Sequence, residues 1–332
     1  MKLCTQCVLP ETFPSINFDA DGVCNYCRNF KGIENFTQKK RKHENRFLEL
    51  VRDYRGKNDY DVLMAYSGGK DSTYTLSVLK DRYKLNILAL TFDNGFISPY
   101  AFENIKNVVE YLSIDHIIIK PRFDLLRKIF AASVTENIYS AKTLERASTI
   151  CTSCMGLVKF ITLKLSLEKR IPFIGYGWSP GQAPVESSVM KVNPSFIITT
   201  QKAIFDPLFK IGGNDIVPYF LNNDDFNKSD YFPYNIHPLA FLDYDEDDII
   251  QKIKRFGWNP PQDTDSNSTN CLLNSFANKI HKDKYHFHPY AFEIAALIRC
   301  GVMKREDGIA KIGTEEDPMI IRHVAEKLQF DS

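Results

Sequence analysis

The segment Ala65-Tyr66-Ser67-Gly68-Gly69-Lys70-Asp71-Ser72 limits the possible folds more than any other part of this 332-residue chain. It follows a short apolar run, Asp61–Tyr66, and precedes a helix-like segment over Thr73–Tyr83. A strand, a glycine turn and a helix N-terminus in that order make a phosphate-binding geometry. Paired glycines let the backbone turn sharply, and N–H groups at the start of the helix converge on one anion. Ser67 and Ser72 add hydroxyl donors, and Lys70 adds a cation. Asp71 does not hold a phosphate by itself; it implies a bridging Mg²⁺ or a helix cap. A Walker A loop needs a glycine five residues before the glycine of its Gly-Lys pair, and Ser or Thr after the lysine. Met64 and Asp71 stand in those places, and G-x-G-x-x-G is also absent.

What remains, Ser-Gly-Gly-Lys-Asp-Ser after a buried strand, resembles the PP-loop of the ATP pyrophosphatases; the alternative is an ordinary glycine-rich turn. The resemblance implies a loop that holds the pyrophosphate of ATP while a carbonyl oxygen is adenylated. A nitrogen or sulfur nucleophile then displaces AMP.

The surrounding pattern fits an α/β fold. Strands are expected over Asp61–Tyr66, Asn86–Phe92, Asp115–Lys120 and Pro172–Tyr176, with helices near Thr73–Tyr83, Tyr100–Leu112 and Cys154–Glu168. Apolar runs separated by helices indicate a doubly wound, mainly parallel sheet, which binds ligands at the carboxyl ends of its strands. Asp93 and Gly175 should lie there with the loop. A charged helix is expected over Thr37–Tyr54. Residues 177–245, rich in Pro, Asn and Asp, read as loops and short helices over the site. Helices return near Glu246–Phe256, Asn270–Lys284, Pro289–Gly301 and Thr314–Gln329.

Eight cysteines in a chain with no apolar signal core read as metal or reactive sites rather than disulfides. Cys4-x-x-Cys7 and Cys24-x-x-Cys27 place two thiolate pairs on tight turns, and four soft ligands suit a structural Zn²⁺. Cys151-Thr-Ser-Cys154 stands at a helix start, where thiol pKa values are expected to fall. With Cys271 the pair offers three ligands, the number that leaves one iron of a [4Fe–4S] cluster open; the alternative is packing or redox-sensitive thiols. Cys300 reads as a core residue. His281, His286 and His288 cluster without a metal-binding spacing.

Lys and Arg total 42 against 41 Asp and Glu. That balance weighs against a long nucleic-acid surface, although Lys39–Lys42 with Arg46 could form a local patch or a solvated helix face. No apolar run approaches the ~20 residues of a membrane span, so a cytoplasmic protein without membrane contact is expected.

The N-terminal module, the loop and the Cys151 pair together resemble the N-acetyl sugar amidotransferases of surface-polysaccharide (lipopolysaccharide) biosynthesis. The opening Cys4-Thr-Gln-Cys-Val-Leu-Pro10, Phe18-Asp-Ala-Asp-Gly-Val-Cys24 and the ending Leu297-Ile-Arg-Cys-Gly-Val-Met-Lys-Arg305 carry that resemblance. It implies a zinc-ribbon module over 1–35, an ATP pyrophosphatase domain over 36–245 and a helical region over 246–332. It also implies amidation of a nucleotide-linked sugar. The acetamido oxygen attacks the α-phosphate of ATP, and ammonia displaces AMP to leave an acetamidino group. Ser67, Gly68, Gly69, Lys70, Asp71 and Ser72 would position pyrophosphate and Mg²⁺, with Lys70, Asp71 and Ser72 catalytic. Thr91, Asp93 and Gly175 would contact the nucleotide. No G-x-C-x-G glutaminase motif occurs and Lys2 follows Met1, so ammonia would come from a separate glutaminase through a synthase-like subunit. The rival is PP-loop sulfur transfer to tRNA or a small molecule, with a [4Fe–4S] cluster on Cys151, Cys154 and Cys271. A non-catalytic zinc-ribbon adaptor is disfavoured by the complete loop.

Overall fold

In a computed structural model describing residues 2–265 and 267–330, the alternation of apolar strands and amphipathic helices gives the expected α/β sheet. The described strands are β1 (Val62–Ala65), β2 (Ile87–Phe92), β3 (Asp115–Ile119), β4 (Phe173–Tyr176), β5 (Val189–Lys191) and β6 (Tyr234–Ile236). They form one sheet in the order β3-β2-β1-β4-β6-β5. All neighbours are parallel except β5, which runs antiparallel to β6. β2 is buried at every position, as a strand covered on both faces must be. The chain runs outward from β1 to β3 and then returns to place β4 on the other side of β1. The ligand crevice of such a sheet opens at that reversal, between the carboxyl ends of β1 and β4.

The longer helices are α1 (Ile33–Tyr54), α2 (Lys70–Ser77), α3 (Pro99–Tyr111), α4 (Phe123–Thr135), α5 (Thr149–Lys169), α6 (Pro194–Gly212), α7 (Glu246–Lys254), α8 (Leu273–Tyr285), α9 (Ala291–Arg299), α10 (Arg305–Gly313) and α11 (Pro318–Leu328). One apolar core, with Leu63, Leu90, Phe130 and Phe160, lies on one sheet face, and a second, with Phe47, Met64, Leu79 and Trp258, lies on the other. A third joins the N-terminal cysteines to α9 through Ala291, Ile294 and Ala295.

Several expectations are corrected. Residues 177–245 hold two short strands and the long helix α6, not only loops and short helices. The helix has Asn193 as its N-cap and Pro194 in its first turn, and Pro207 inside it disguises its length. α4 and α10 are further helices that the sequence pattern did not reveal. Among the described residues one helix, α5, is long and apolar enough to cross a membrane by length and composition, contrary to the reading of the sequence. Its most apolar window is 61% buried, with Leu157, Phe160, Leu163 and Leu167 in the core.

Candidate functional site

β1 delivers the chain to the crevice at Ser67. Gly68 takes φ +78°, and a Cβ there would lie 2.7 Å from Ile105 and 2.8 Å from the Ala101 carbonyl, so only glycine fits. The Gly68 carbonyl accepts from Trp258 Nε1 at 2.9 Å. The helix begins at Lys70, inside the motif, which puts Lys70, Asp71 and Ser72 in its first turn. Ser72 Oγ donates to the Gly69 carbonyl at 3.0 Å and lies 3.1 Å from Ser67 Oγ, closing the turn. An acidic residue in a first turn suits the helix dipole.

Lys70 Nζ donates to Asp71 Oδ2 and to Tyr244 Oη, each at 3.0 Å, and Tyr244 Oη donates to Asp71 Oδ1 at 2.9 Å. Glu246 stands 4.0 Å from Lys70 Nζ and binds Lys311 at 2.9 Å. Burial works against the Lys70 ammonium, but Asp71, Tyr244 and Glu246 outweigh it and hold its pKa above the ordinary lysine value. The carboxyl-terminal region thus supplies the loop's far wall. Thr269 Oγ1 also accepts from the Lys70 N–H at 3.0 Å.

The other expected nucleotide residues fall close by, but their side chains are engaged. Thr91 is fully buried in β2; its hydroxyl donates to the Tyr66 carbonyl at 2.7 Å and meets His116 Nε2 at 2.8 Å. Asp93 Oδ1 accepts from the Gly95 N–H at 2.9 Å, and Oδ2 pairs with Lys120 at 2.9 Å. Gly175 packs inside β4, where a Cβ would lie 2.9 Å from Met64 Sδ. The glycine that touches the loop is Gly177, whose Cβ would fall 2.3 Å from Ser72 Cα.

The second cysteine set converges at the end of β2. α5 starts at Thr149, earlier than its sequence pattern indicates, and Ser148 caps it by accepting from the Cys151 N–H at 3.1 Å. Cys151 and Cys154 are three residues apart on this helix and so share a face. Cys271 arrives from the far end of the chain because its segment pairs with the residues after β2. Leu272 N donates to Phe96 O at 2.9 Å and Ser98 N to Asn270 O at 3.0 Å. Asn94 Nδ2 faces both Cys271 Sγ at 3.5 Å and Cys154 Sγ at 3.7 Å. The three thiols are half-buried. The expected fall in thiol pKa is reversed: burial outweighs the hydrogen bond with Ser148 and pushes Cys151 up to about 11, and it also raises Cys154 and Cys271 against the hydrogen bonds from Asn94.

Among the described residues the one group of His, Cys, Asp or Glu ligand atoms all within 4.8 Å of one another is Cys4, Cys7, Cys24 and Cys27. Cys4 and Cys27 sulfurs are 3.9 Å apart, and Cys7 and Cys24 sulfurs 3.8 Å. A tetrahedral ion about 2.3 Å from each sulfur sets them about 3.8 Å apart, so this group suits one ion. The Cys151 set is more widely spread and does not form a single-ion cage. In a cluster each thiolate binds its own iron, which requires wider spacing.

Two further side chains were not recognisable in the sequence. Glu293, in the first turn of α9, accepts from Ser179 Oγ at 2.6 Å. Burial, with Asp71 adding repulsion, pushes its carboxyl up to about 7. Tyr290 donates to Asn274 Oδ1 at 3.0 Å, and burial, together with the nearby Cys151, raises its pKa well above the usual tyrosine value. His281 and His288 are buried neutral groups with pKa values lowered to about 3 and about 4, chiefly by burial.

No protein-family model matches the chain. The chain is 24% identical to an uncharacterized protein of Methanocaldococcus jannaschii over 98% of its own length and 97% of that protein's. Among solved structures it is similar to the U34-tRNA thiolase NcsA from Methanococcus maripaludis with its [4Fe–4S] cluster, at 17% identity and TM-score 0.35, covering 100% of this chain and 99% of that one. It is also similar to a predicted subunit of tRNA methyltransferase from M. jannaschii, at 16% identity and TM-score 0.33, covering 70% of this chain and 91% of that one.

The expectation of a sugar amidotransferase is therefore corrected. The Cys151 pair, which also figures in the amidotransferase resemblance, is joined in the fold by Cys271 from a distant segment: Cys154 and Cys271 meet at Asn94 and Asn270 lies beside Gly69 of the loop, a three-thiol set that sulfur transfer uses and ammonia transfer does not. The correction rests on the cysteines of this chain. The nucleotide-sugar substrate and the ammonia-supplying glutaminase and synthase-like subunits were consequences of the amidation reading alone.

Proposed function

We propose that this chain is an ATP-dependent sulfurtransferase of the PP-loop type. The acceptor's carbonyl oxygen attacks the α-phosphate of ATP and pyrophosphate leaves. Sulfide then attacks the activated carbon and expels AMP, so that sulfur replaces oxygen. The observation that supports this reading best is that Cys154 and Cys271 converge on Asn94 just past β2, with Cys151 one turn before Cys154 on α5 and Asn270 beside Gly69 of the loop.

Ser67, Gly68, Gly69 and Ser72 cradle the leaving pyrophosphate with backbone N–H groups and hydroxyls. Lys70 offsets its charge, and Asp71 would hold a Mg²⁺ that supplies further charge neutralisation there. Tyr244 keeps Lys70 and Asp71 in one arrangement through its two hydrogen bonds. Thr91, Asp93 and Gly175 are positioning residues: Thr91 fixes the last carbonyl of the strand before the loop, Asp93 shapes the turn that carries Asn94, and Gly175 lets β4 pack closely on β1. Cys4, Cys7, Cys24 and Cys27 hold a structural zinc.

The Cys151, Cys154 and Cys271 thiols fit a [4Fe–4S] cluster. Their number leaves one iron free, their spacing exceeds that of a single ion, and the Asn94 amide donates toward two of the sulfurs. Such a cluster supplies an open iron for sulfide. Glu293, close to neutrality at its pKa of about 7, provides a proton acceptor at the edge of the site for hydrosulfide.

The test uses anaerobically purified chain with MgATP, pooled RNA as acceptor, and either sulfide or ammonium as the nucleophile. AMP and pyrophosphate should form with sulfide and disappear in Asp71→Asn. Equal turnover with ammonium, or an Asp71→Asn variant as active as wild type, refutes the reading.

A further inference from the structure

A cavity of about 340 Å³ opens between the start of α1, the 180–186 loop and α9. Its size lies within the roughly 300–1,000 Å³ range of ligand pockets and suits a single nucleotide rather than a duplex. Four cations line it, Lys31, Lys39, Arg146 and Arg299, against one carboxylate, Glu186. Lys39 and Glu186 pair at 2.5 Å, Arg299 also reaches Cys7 Sγ at 3.9 Å and Glu145 lies near Arg146, yet within the cavity lining itself cations outnumber carboxylates on a chain whose whole formal charge is +1. This excess is local, so the overall charge balance gives no sign of it.

The cations are backed by aromatic rings. The Arg146 guanidinium carbon lies 4.6 Å over the Phe292 ring, and that of Arg299 lies 5.9 Å from the same ring. Arg146 Nη1 is anchored to the Gln182 carbonyl at 3.1 Å. A guanidinium anchored in this way keeps a plane for stacking and further N–H donors for an oxyanion. Phe36 lines the same space. Charge with planar groups is the combination that recognises a phosphate and a base together.

The cavity also adjoins the chemistry. Around the first turn of α9, Tyr290 lies near Cys151 and Cys271, Phe292 lines the cavity, and Glu293 meets Ser179 near Asp71. One helix, about 10 Å across, therefore separates the cavity from the loop and the cysteines. Gly181 presses on that same turn, where a Cβ would meet the Glu293 carbonyl at 2.4 Å.

We propose that this cavity is a docking site for the acceptor and takes a nucleotide unit. Arg146 and Arg299 hold its phosphate, and its base stacks on the Arg146 plane or on Phe36. The word acceptor rests on the sulfur-transfer reading, but binding requires neither ATP nor a cluster. The unit comes from an RNA strand, whose neighbouring nucleotides can reach past the helix to the loop; a free nucleotide in this place would be a bound ligand and not the acceptor.

The test titrates the full chain with a fluorescein-labelled single-stranded RNA dodecamer, with uridine monophosphate as competitor, at several salt concentrations. Saturable RNA binding that weakens with salt and is not displaced by the monophosphate identifies a strand; displacement identifies a free-nucleotide ligand and overturns the acceptor assignment. Arg146→Gln should weaken RNA binding about tenfold, and Lys31→Gln, at an exposed position, by a smaller factor, with unchanged melting temperatures. Asp71→Asn should bind as wild type. Absence of binding, or equal binding by wild type, Arg146→Gln and Lys31→Gln, overturns the proposal. If binding fails while sulfide-dependent AMP formation persists, the cavity assignment falls and the transfer reading stands. If binding depends on Arg146 while AMP never forms, the transfer reading falls instead.

Discussion

Gly177→Ala is a one-methyl test of how β4 holds the phosphate loop. The new Cβ would lie 2.3 Å from Ser72 Cα, 2.5 Å from Ser72 N and 2.9 Å from Asp71 C. Ordinary contact begins near 3.4 Å, so the two backbones must separate by 3.4 − 2.3, about 1.1 Å. No side chain can rotate to relieve the clash, because these three nearest atoms are all main chain at the start of α2. Gly177 does not have positive φ, so the effect is one of contact rather than backbone strain. Overpacking of this kind costs about 1–3 kcal/mol, which a chain of this size can survive folded. A displacement of about 1 Å in a positioned catalytic group costs about a hundredfold in rate. The variant should therefore melt only modestly lower while ATP–pyrophosphate exchange falls about a hundredfold. Gly313→Ala, where a Cβ meets nothing within 4 Å, is the control. A Gly177→Ala protein with wild-type exchange and wild-type melting would show that the loop does not depend on this contact.

Tyr244→Phe removes the hydroxyl shared by Lys70 and Asp71; AMP formation should fall about tenfold or more, with little change in melting temperature. Glu293 has its folded pKa raised from 4.5 to about 7. Its contribution to stability is therefore complete below about pH 4.5 and is lost as pH rises through 7. Glu293→Gln should accordingly be more stable than wild type at pH 8, by about 1–3 kcal/mol after allowance for partial exposure, and the gain should shrink as pH falls and vanish only below the unfolded pKa of 4.5 in denaturant titrations. Cys24→Ser should release the N-terminal metal and lower the melting temperature, and because the cysteine module packs on α9 it should also weaken RNA binding in the cavity.

The sequence reveals most of the frame and part of the site. β1, β2 and β4 are apolar runs, as buried parallel strands have to be, and the edge strand β3 carries three successive isoleucines, Ile117–Ile119, so their positions could be read within a residue or two. The four N-terminal cysteines carry their geometry in their spacing. β5 and β6 are three residues each, too short for periodicity to register, and Pro207 hides the length of α6. Long-range partners are the least legible. Nothing local distinguishes Tyr244, Trp258, Thr269 or Glu293 from other residues of their kinds; the fold alone brings them to a loop some 170 to 220 positions away. The thiol pKa values followed the same pattern. A helix start is visible in sequence, whereas the burial that raises its thiols is not. The grouping of Cys271 with Cys151 and Cys154 is legible in the sequence; the Asn94 amide that faces Cys154 and Cys271 is not.

The central claim is that Cys151, Cys154 and Cys271 act together on iron, apart from the N-terminal zinc group. Metal and acid-labile sulfide analysis, with the absorption spectrum, after anaerobic reconstitution tests it most directly. The account predicts about four irons and four sulfides per chain beside one zinc, with the iron lost in Cys271→Ala and the zinc retained. A wild-type chain that binds zinc and takes up no iron, or a Cys271→Ala chain that keeps its full iron content, would contradict it.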